Sequence, residues 1–186
     1  MSRKNILDLG MGETDNKREW PALQKDDAEL QKELFSLLTS RVPGNPYSSD
    51  GSFAKNLEAL RPGLKAMAAT HWLDISLTLD SMTWHFGNFG EPGLVAATEA
   101  GLTELGLDEL ASCFREAKEL MVPLLYQRTE ADGDSDEILE RRGLDWKAKE
   151  INDRAWDLDD LSPKKSLIYD AWVRYARLHP ENVFGT

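Results

Sequence analysis

Between Leu64 and Phe86, apolar side chains fall at Leu64, Ala68, Trp72, Ile75, Leu79, Met82 and Phe86, in steps of three and four residues. A strand would need steps of two, so this spacing commits the segment to a helix with one long buried stripe. Its length predicts a central element on which the rest of the chain packs. Other segments follow the same period. Leu23, Leu30, Leu34, Leu37, Leu38 and Val42 form a stripe that opens near Pro21 and the capping-box spacing of Asp26 and Glu29, and ends at Pro43-Gly44. A loop rich in Pro, Gly, Asn and Ser follows to Gly51, then a short helix from Ser52 to Arg61. The run from Gly87 to Gly93 predicts a turn, with Pro92 at a first helical position. Leu94, Thr98, Leu102 and Leu105 make the next face up to Gly106. Leu107, Leu110, Ala111, Phe114, Ala117 and Met121 make the one after, in a helix that starts near Asp108. So short a link implies antiparallel packing of the two. Helical pattern resumes at Asp136 and around Trp146. Ser162-Pro163 reads as the start of a last helix carrying Ile168, Ala171, Trp172, Tyr175 and Leu178. Only Asn5 to Leu9 hints at a strand. The expected fold is all-α, a single domain of about six to eight helices over residues 20–186 around a long central helix, preceded by a flexible segment, residues 1–19.

The chain has 186 residues, enough for one domain with a proper core. Cys113 is the only cysteine, which excludes an intrachain disulfide and a multi-thiolate metal site. The start mixes charges of both signs, and no segment is an apolar run of membrane-spanning length, so a cytoplasmic protein is expected.

The formal net charge is −11, and its distribution is uneven. From Glu130 to Asp160, twelve carboxylates face five basic residues. Trp146 and Trp156 lie in the same stretch, as an ordered acidic surface would have them and a solvating tail would not. Such a field repels nucleic acid and attracts basic proteins. The candidate partner-binding residues are Asp132, Asp134, Asp136, Glu137, Asp153, Asp157, Asp159 and Asp160.

Chemical sites are weighed against simpler readings. Asp132, Asp134 and Asp136 match the first liganding positions of a calcium loop. The sixth and twelfth positions, however, are Glu137 and Gly143 where Gly and Glu are required, which favours a solvated loop. His71, His85 and His179 lack the spacing of zinc or di-iron sites, so no metal and no cofactor is expected. His71 and Asp74, three apart, could pair as a base and its orienting carboxylate, but no nucleophile motif accompanies them and a structural hydrogen bond is the commoner use. The glycines at 87, 90 and 93 precede a helix as in phosphate loops. Glu91 would put negative charge in that mouth, so a turn is the better reading. Without a basic groove, Trp72, Trp84, Trp146, Trp156 and Trp172 serve mostly as core.

The block Trp84-His85-Phe86-Gly87-Asn88, the helical pair that follows it, and the close at Pro180-Glu181-Asn182-Val183-Phe184 resemble a bacterial family of small, acidic, helical proteins. That family is typified by a DNA mimic that binds a transcription factor. The residues that carry the likeness are Trp84, Phe86, Asn88, Pro180, Glu181 and Phe184. Asp80 and Ser81 stand where the family has paired glycines, Met82 where it has Phe, and Trp84 where it has Gln. The resemblance spans roughly residues 80–184. It implies a helical domain able to form a homodimer and to present carboxylates to a DNA-binding protein. A magnitude limits how. Duplex DNA carries about one charge per 1.7 Å, whereas the acidic stretch as one helix would span roughly 46 Å with about one net charge per 7 Å. Mimicry needs acid pooled from several helices. The expected function is a non-enzymatic acidic interaction protein whose partner is a basic, DNA-binding protein. An immunity-type inhibitor of a basic toxin such as a nuclease, and an enzyme centred on His71 and Asp74, are the alternatives.

Overall fold

The structure, a computed structural model, describes residues 20–127, 133–160 and 166–185. Five of its helices start where a side-chain oxygen takes up backbone N–H groups that a first helical turn leaves unpaired. Asp26 accepts from the Glu29 N–H and opens α1 (Asp27–Arg41), as its spacing to Glu29 predicts. Ser81 caps α4 (Met82–Phe89) through the Trp84 N–H, and Glu91 caps α5 (Pro92–Glu104) through Gly93 and Leu94. Asp134 does so for α7 (Ser135–Arg142), and Ser166 for α9 (Leu167–Leu178). The remaining helices are α2 (Ser52–Leu57), α3 (Pro62–Leu79), α6 (Asp108–Tyr126), α8 (Asp145–Asp160) and α10 (Glu181–Phe184), with a short 3-10 turn at Pro21–Gln24. Among the described residues there is no strand, and the fold is all-α. Residues 1–19, Asp132 and the Ser162-Pro163 pair lie outside the described residues. The cap of the helix that carries Ile168, Ala171 and Trp172 is Ser166.

The single helix expected from Leu64 to Phe86 is two. Asp80 (φ −155°, ψ −98°) and Ser81 (φ −154°, ψ 168°) leave helical geometry, and the Ser81 hydroxyl starts the second helix. Leu79, counted in the expected stripe, is 70% exposed, while Met82 and Phe86 beyond the break are buried. This division and the four-residue α10 raise the count to ten α-helices among the described residues, above the expected six to eight. The expected turn also shrinks. α4 runs through Gly87 and Asn88 to Phe89, and a Cβ on Gly87 would stand 2.7 Å from the Ser135 hydroxyl, so glycine lets α7 come close.

α3 is central all the same. α1, α2, α4, α5, α9 and α10 pack around it, and Gly63, Leu64 and Ala66 to Thr70 are buried around its whole circumference. Its closest neighbour is α5, where a Cβ on Gly101 would lie 3.0 Å from the Ala66 carbonyl oxygen and 3.1 Å from Ala66 Cα. Backbone atoms cannot swing aside as a side chain does. Gly101→Val should therefore cost about 1–3 kcal/mol by forcing the two helices apart, outweighing the few tenths that valine gains in helix propensity. Urea unfolding checks this. A variant as stable as the wild type would mean that the α3–α5 contact is slack.

α6 buries Leu110, Ala111, Phe114, Ala117 and Met121, the face its spacing predicts, together with Cys113. It packs against α4, α5 and α8, and Arg154 of α8 holds Glu116 of α6 with two nitrogens at 2.8 and 3.0 Å. The tryptophans divide three ways. Trp172 is fully buried, Trp72 and Trp84 are half-buried, and Trp146 and Trp156 are 62% and 37% exposed. Three of these five rings thus pack in or against the core, and the two on α8 do not.

Candidate functional site

α7 and α8 pack on each other and turn Ile138, Leu139, Ala148, Ile151 and Ala155 inward. Their other faces carry the acid. Asp134, Asp136, Glu137, Asp157 and Asp160 are exposed, while Asp153 and Asp159 are half-buried. Three of these carboxylates hold the fold together. Asp134 caps α7, Asp159 accepts the Leu167 N–H at 2.8 Å, and Asp153 pairs with Lys149 one turn away. Asp134 and Asp136 belong to the start of a helix instead of a calcium loop, and no group of three potential metal ligands occurs among the described residues. Asp80, at the α3–α4 break, was not among the residues selected from sequence. Its charge adds to the rise that burial gives the Asp136 pKa above its ordinary value. On Asp159, burial has the larger effect, with Asp160 and Asp170 adding to the rise. Trp156 lies across the end of α3 and donates from Nε1 to the Leu77 carbonyl at 3.2 Å.

His71 and Asp74 do not pair directly. The Ser166 hydroxyl donates to Asp74 at 2.5 Å and accepts the Tyr169 N–H at 3.1 Å, while the Tyr169 hydroxyl lies 3.1 Å from His71 Nδ1. Burial pushes the Asp74 carboxyl up to about 6, against the lowering effect of its hydrogen bonds, and lowers the His71 pKa. The network fastens α3 to α9.

The residues that carry the family likeness are not brought together. Phe86 is buried and Trp84 half-buried on α4, where Asn88 donates to the Trp84 carbonyl. Pro180, Glu181 and Phe184 lie around α10, which packs on α3 where Gly63 meets Val183. α4 follows from the other end of α3, one helix length of roughly 27 Å away. Within the block, His85 is fully buried against Phe86, Phe89 and Phe114, and its Nδ1 lies 2.9 Å from the Ser76 hydroxyl.

A groove of about 1360 Å³, not anticipated from the sequence, runs between α5 and α6. The inward face of α5 is the expected Leu94, Thr98 and Leu102, so Pro92, Ala96, Ala100 and Thr103 are left outward as the groove's floor. Val122, Pro123 and Tyr126 form the opposite wall. Small apolar residues four apart on the outer face of a helix were the available signal. Gly87 lines the groove as well as touching Ser135, so one end of the groove borders α7. Glu91 closes the mouth at the start of α5, as its negative charge led one to expect: its two oxygens take the Gly93 and Leu94 N–H groups at 2.9 and 2.7 Å. A second pocket of about 330 Å³ lies at Arg41, Arg61 and Val183. Neither cavity is lined by His71 or Asp74.

Among the described residues, no helix is long and apolar enough to cross a membrane. Comparisons with protein-family profiles, with curated proteins and with solved structures give no match to this chain.

Proposed function

We propose that the protein is a non-enzymatic, cytoplasmic interaction protein that uses the carboxylates of α7 and α8 to hold a basic, DNA-binding protein, in the manner of a DNA mimic. The observation that carries this reading is the exposed set Asp136, Glu137, Asp157 and Asp160, which sits on two helices packed together, where the charge of Asp80 also reaches Asp136. Pooling acid in this way raises the charge density above what a single strip supplies. The His71–Asp74 network supports leaving catalysis out, since its hydrogen bonds are spent on α9 and it lines neither cavity.

The test uses the partner captured from the native cytoplasm at low salt and then purified. Reversing Glu137, Asp157 and Asp160 to Lys should leave the fold intact, because exposed charges each contribute little to stability. Asp159 is spared because of its bond to Leu167. Partner affinity should fall by about tenfold or more at low salt, mostly through slower association. The difference should close toward about 1 M salt, where screening shortens to roughly 3 Å. The wild type should also displace the partner from duplex DNA. Equal affinity of the reversed variant at low salt would end the acidic-surface reading. A captured nuclease that is inactivated without competing for DNA would replace the mimic with an inhibitor.

A further inference from the structure

The groove between α5 and α6 has two straight walls, an apolar floor and an acidic rim. Pro92, Ala96, Ala100 and Thr103 recur at steps of four, four and three, so they form a continuous ridge along the whole of α5, roughly 20 Å. Small side chains on such a ridge let another helix approach to the 8–10 Å axis separation of a packed pair, at about the ordinary distance. Around this floor stand Glu91, Glu99, Glu104 and Glu119 with Lys118, while Arg115 meets Glu99 at 3.5 Å. Lys118 is paired with Glu99, so its charge is already answered within the wall. The formal charge of these six side chains is −2, four carboxylates less two cations. Pro123 adds to the field. It has no N–H, so the carbonyl of Glu119 one turn earlier has no helical donor. At the α4 end, Tyr47 and Tyr126 are 58% and 72% exposed, aromatic rings with an apolar body and a polar tip.

We propose that this groove docks a cationic amphipathic helix of a partner protein, its apolar stripe on Ala96 and Ala100 and its Lys or Arg side chains toward the glutamates. The inference shares with the preceding section the premise of a basic partner, but it concerns a different surface. Charge selects this occupant over two others. A second copy of the chain would bring two such rims together on bodies that each carry −11. The chain's own residues 1–19 hold four basic and four acidic side chains, and so supply no net complement.

The probe is a synthetic peptide of about 18 residues, made of Leu, Ala and Lys with leucines at steps of three and four. Its controls are a scrambled sequence and a version with Glu for Lys. At low salt the Lys peptide should bind the full chain about tenfold or more tighter than either control. Ala96→Trp with Ala100→Trp, at exposed helical positions, should fill the groove and weaken binding about tenfold while circular dichroism stays unchanged. Glu119→Lys should weaken it severalfold. The triple reversal on α7 and α8 should keep peptide binding within about twofold, which separates failure of the groove from failure of the acidic face. The proposal is overturned if the Lys peptide binds no better than the scrambled one, or if the double tryptophan variant binds it as tightly as the wild type. Sedimentation showing a wild-type dimer that Ala100→Trp dissociates would also overturn it and give the groove to a second copy.

Discussion

Trp172→Ala should remove about 3–5 kcal/mol of stability, the range for deleting a fully buried large aromatic side chain. The ring lies where α1, α3 and α9 meet, with Phe35, His71 and Tyr169 at centroid distances of 5.5, 5.9 and 4.7 Å. Its Nε1 donates to the Thr70 hydroxyl at 3.0 Å. Thr70 keeps a partner in the variant, because its own proton goes to the Ala66 carbonyl at 2.8 Å. The loss is therefore one of packing. Trp172→Phe separates the terms, since it retains much of the ring contact and forfeits a hydrogen bond worth about 1 kcal/mol. Trp72→Ala should cost clearly less than Trp172→Ala, for Trp72 is half-buried. Urea midpoints at unchanged m-value provide the measurement. Equal losses at the two positions would contradict the packing described here.

His85→Phe should gain about 3 kcal/mol on the wild type between pH 7 and pH 4. Ser76 donates its hydroxyl proton to the Trp72 carbonyl at 2.8 Å, so His85 Nδ1 must donate to Ser76, and the bare Nε2 has no hydrogen-bond partner among the described residues. Total burial pushes the His85 pKa down to about 3. Unfolded, the ring takes a proton below about 6.5, while the folded state refuses it until about 3. Stability from this residue is thus whole above 6.5 and declines as the pH falls through that window, by about 1.4 kcal/mol per unit. Asp74 runs the opposite way. Its folded pKa near 6 makes the folded state bind the proton first, so stability rises as the pH falls from 6 toward 3.8. The two partly cancel in the wild type, which is why the comparison with His85→Phe is the informative one. Phenylalanine suits a site lined by Phe86, Phe89 and Phe114, and it leaves the Ser76 bond to Trp72 in place. Parallel pH profiles for the two proteins would show that His85 is not held neutral.

Where one face of a helix meets the core, the spacing in the sequence was enough. Leu94, Thr98 and Leu102 on α5, and Leu110, Phe114 and Met121 on α6, are buried as their periods require. Asp26 and Pro92 mark helix starts for equally local reasons. The break at Asp80 and Ser81 was hidden because Met82 and Phe86 continue the apolar spacing beyond it. A periodic count registers which residues are apolar and misses a hydroxyl that restarts the helix. The acidic surface was legible as composition, but the work of each carboxylate was not. Asp134 and Asp159 hold backbone N–H groups, and only the fold shows that the Leu167 N–H lies against Asp159. The His71–Asp74 spacing was visible, whereas their actual partners, Tyr169 and Ser166, lie more than ninety residues further along the chain. The groove escaped notice because it is made by what α5 leaves outside: alanines on a helix exterior are ordinary until a second helix walls them in.

Cys113 turns the α6–α8 contact into a clock. It is the only thiol in the chain, it is 1% exposed, and burial raises its pKa so that little reactive thiolate forms at neutral pH. A thiol reagent must therefore wait for α6 to part from its neighbours. The rate of labelling under native conditions then measures the free energy of that opening, without an introduced probe. Because Arg154 bridges α8 to α6 beside this residue, on the body that carries the acidic face, a bound basic partner that steadies α8 would slow the reaction. The unaltered chain carries its own timer for the opening of α6.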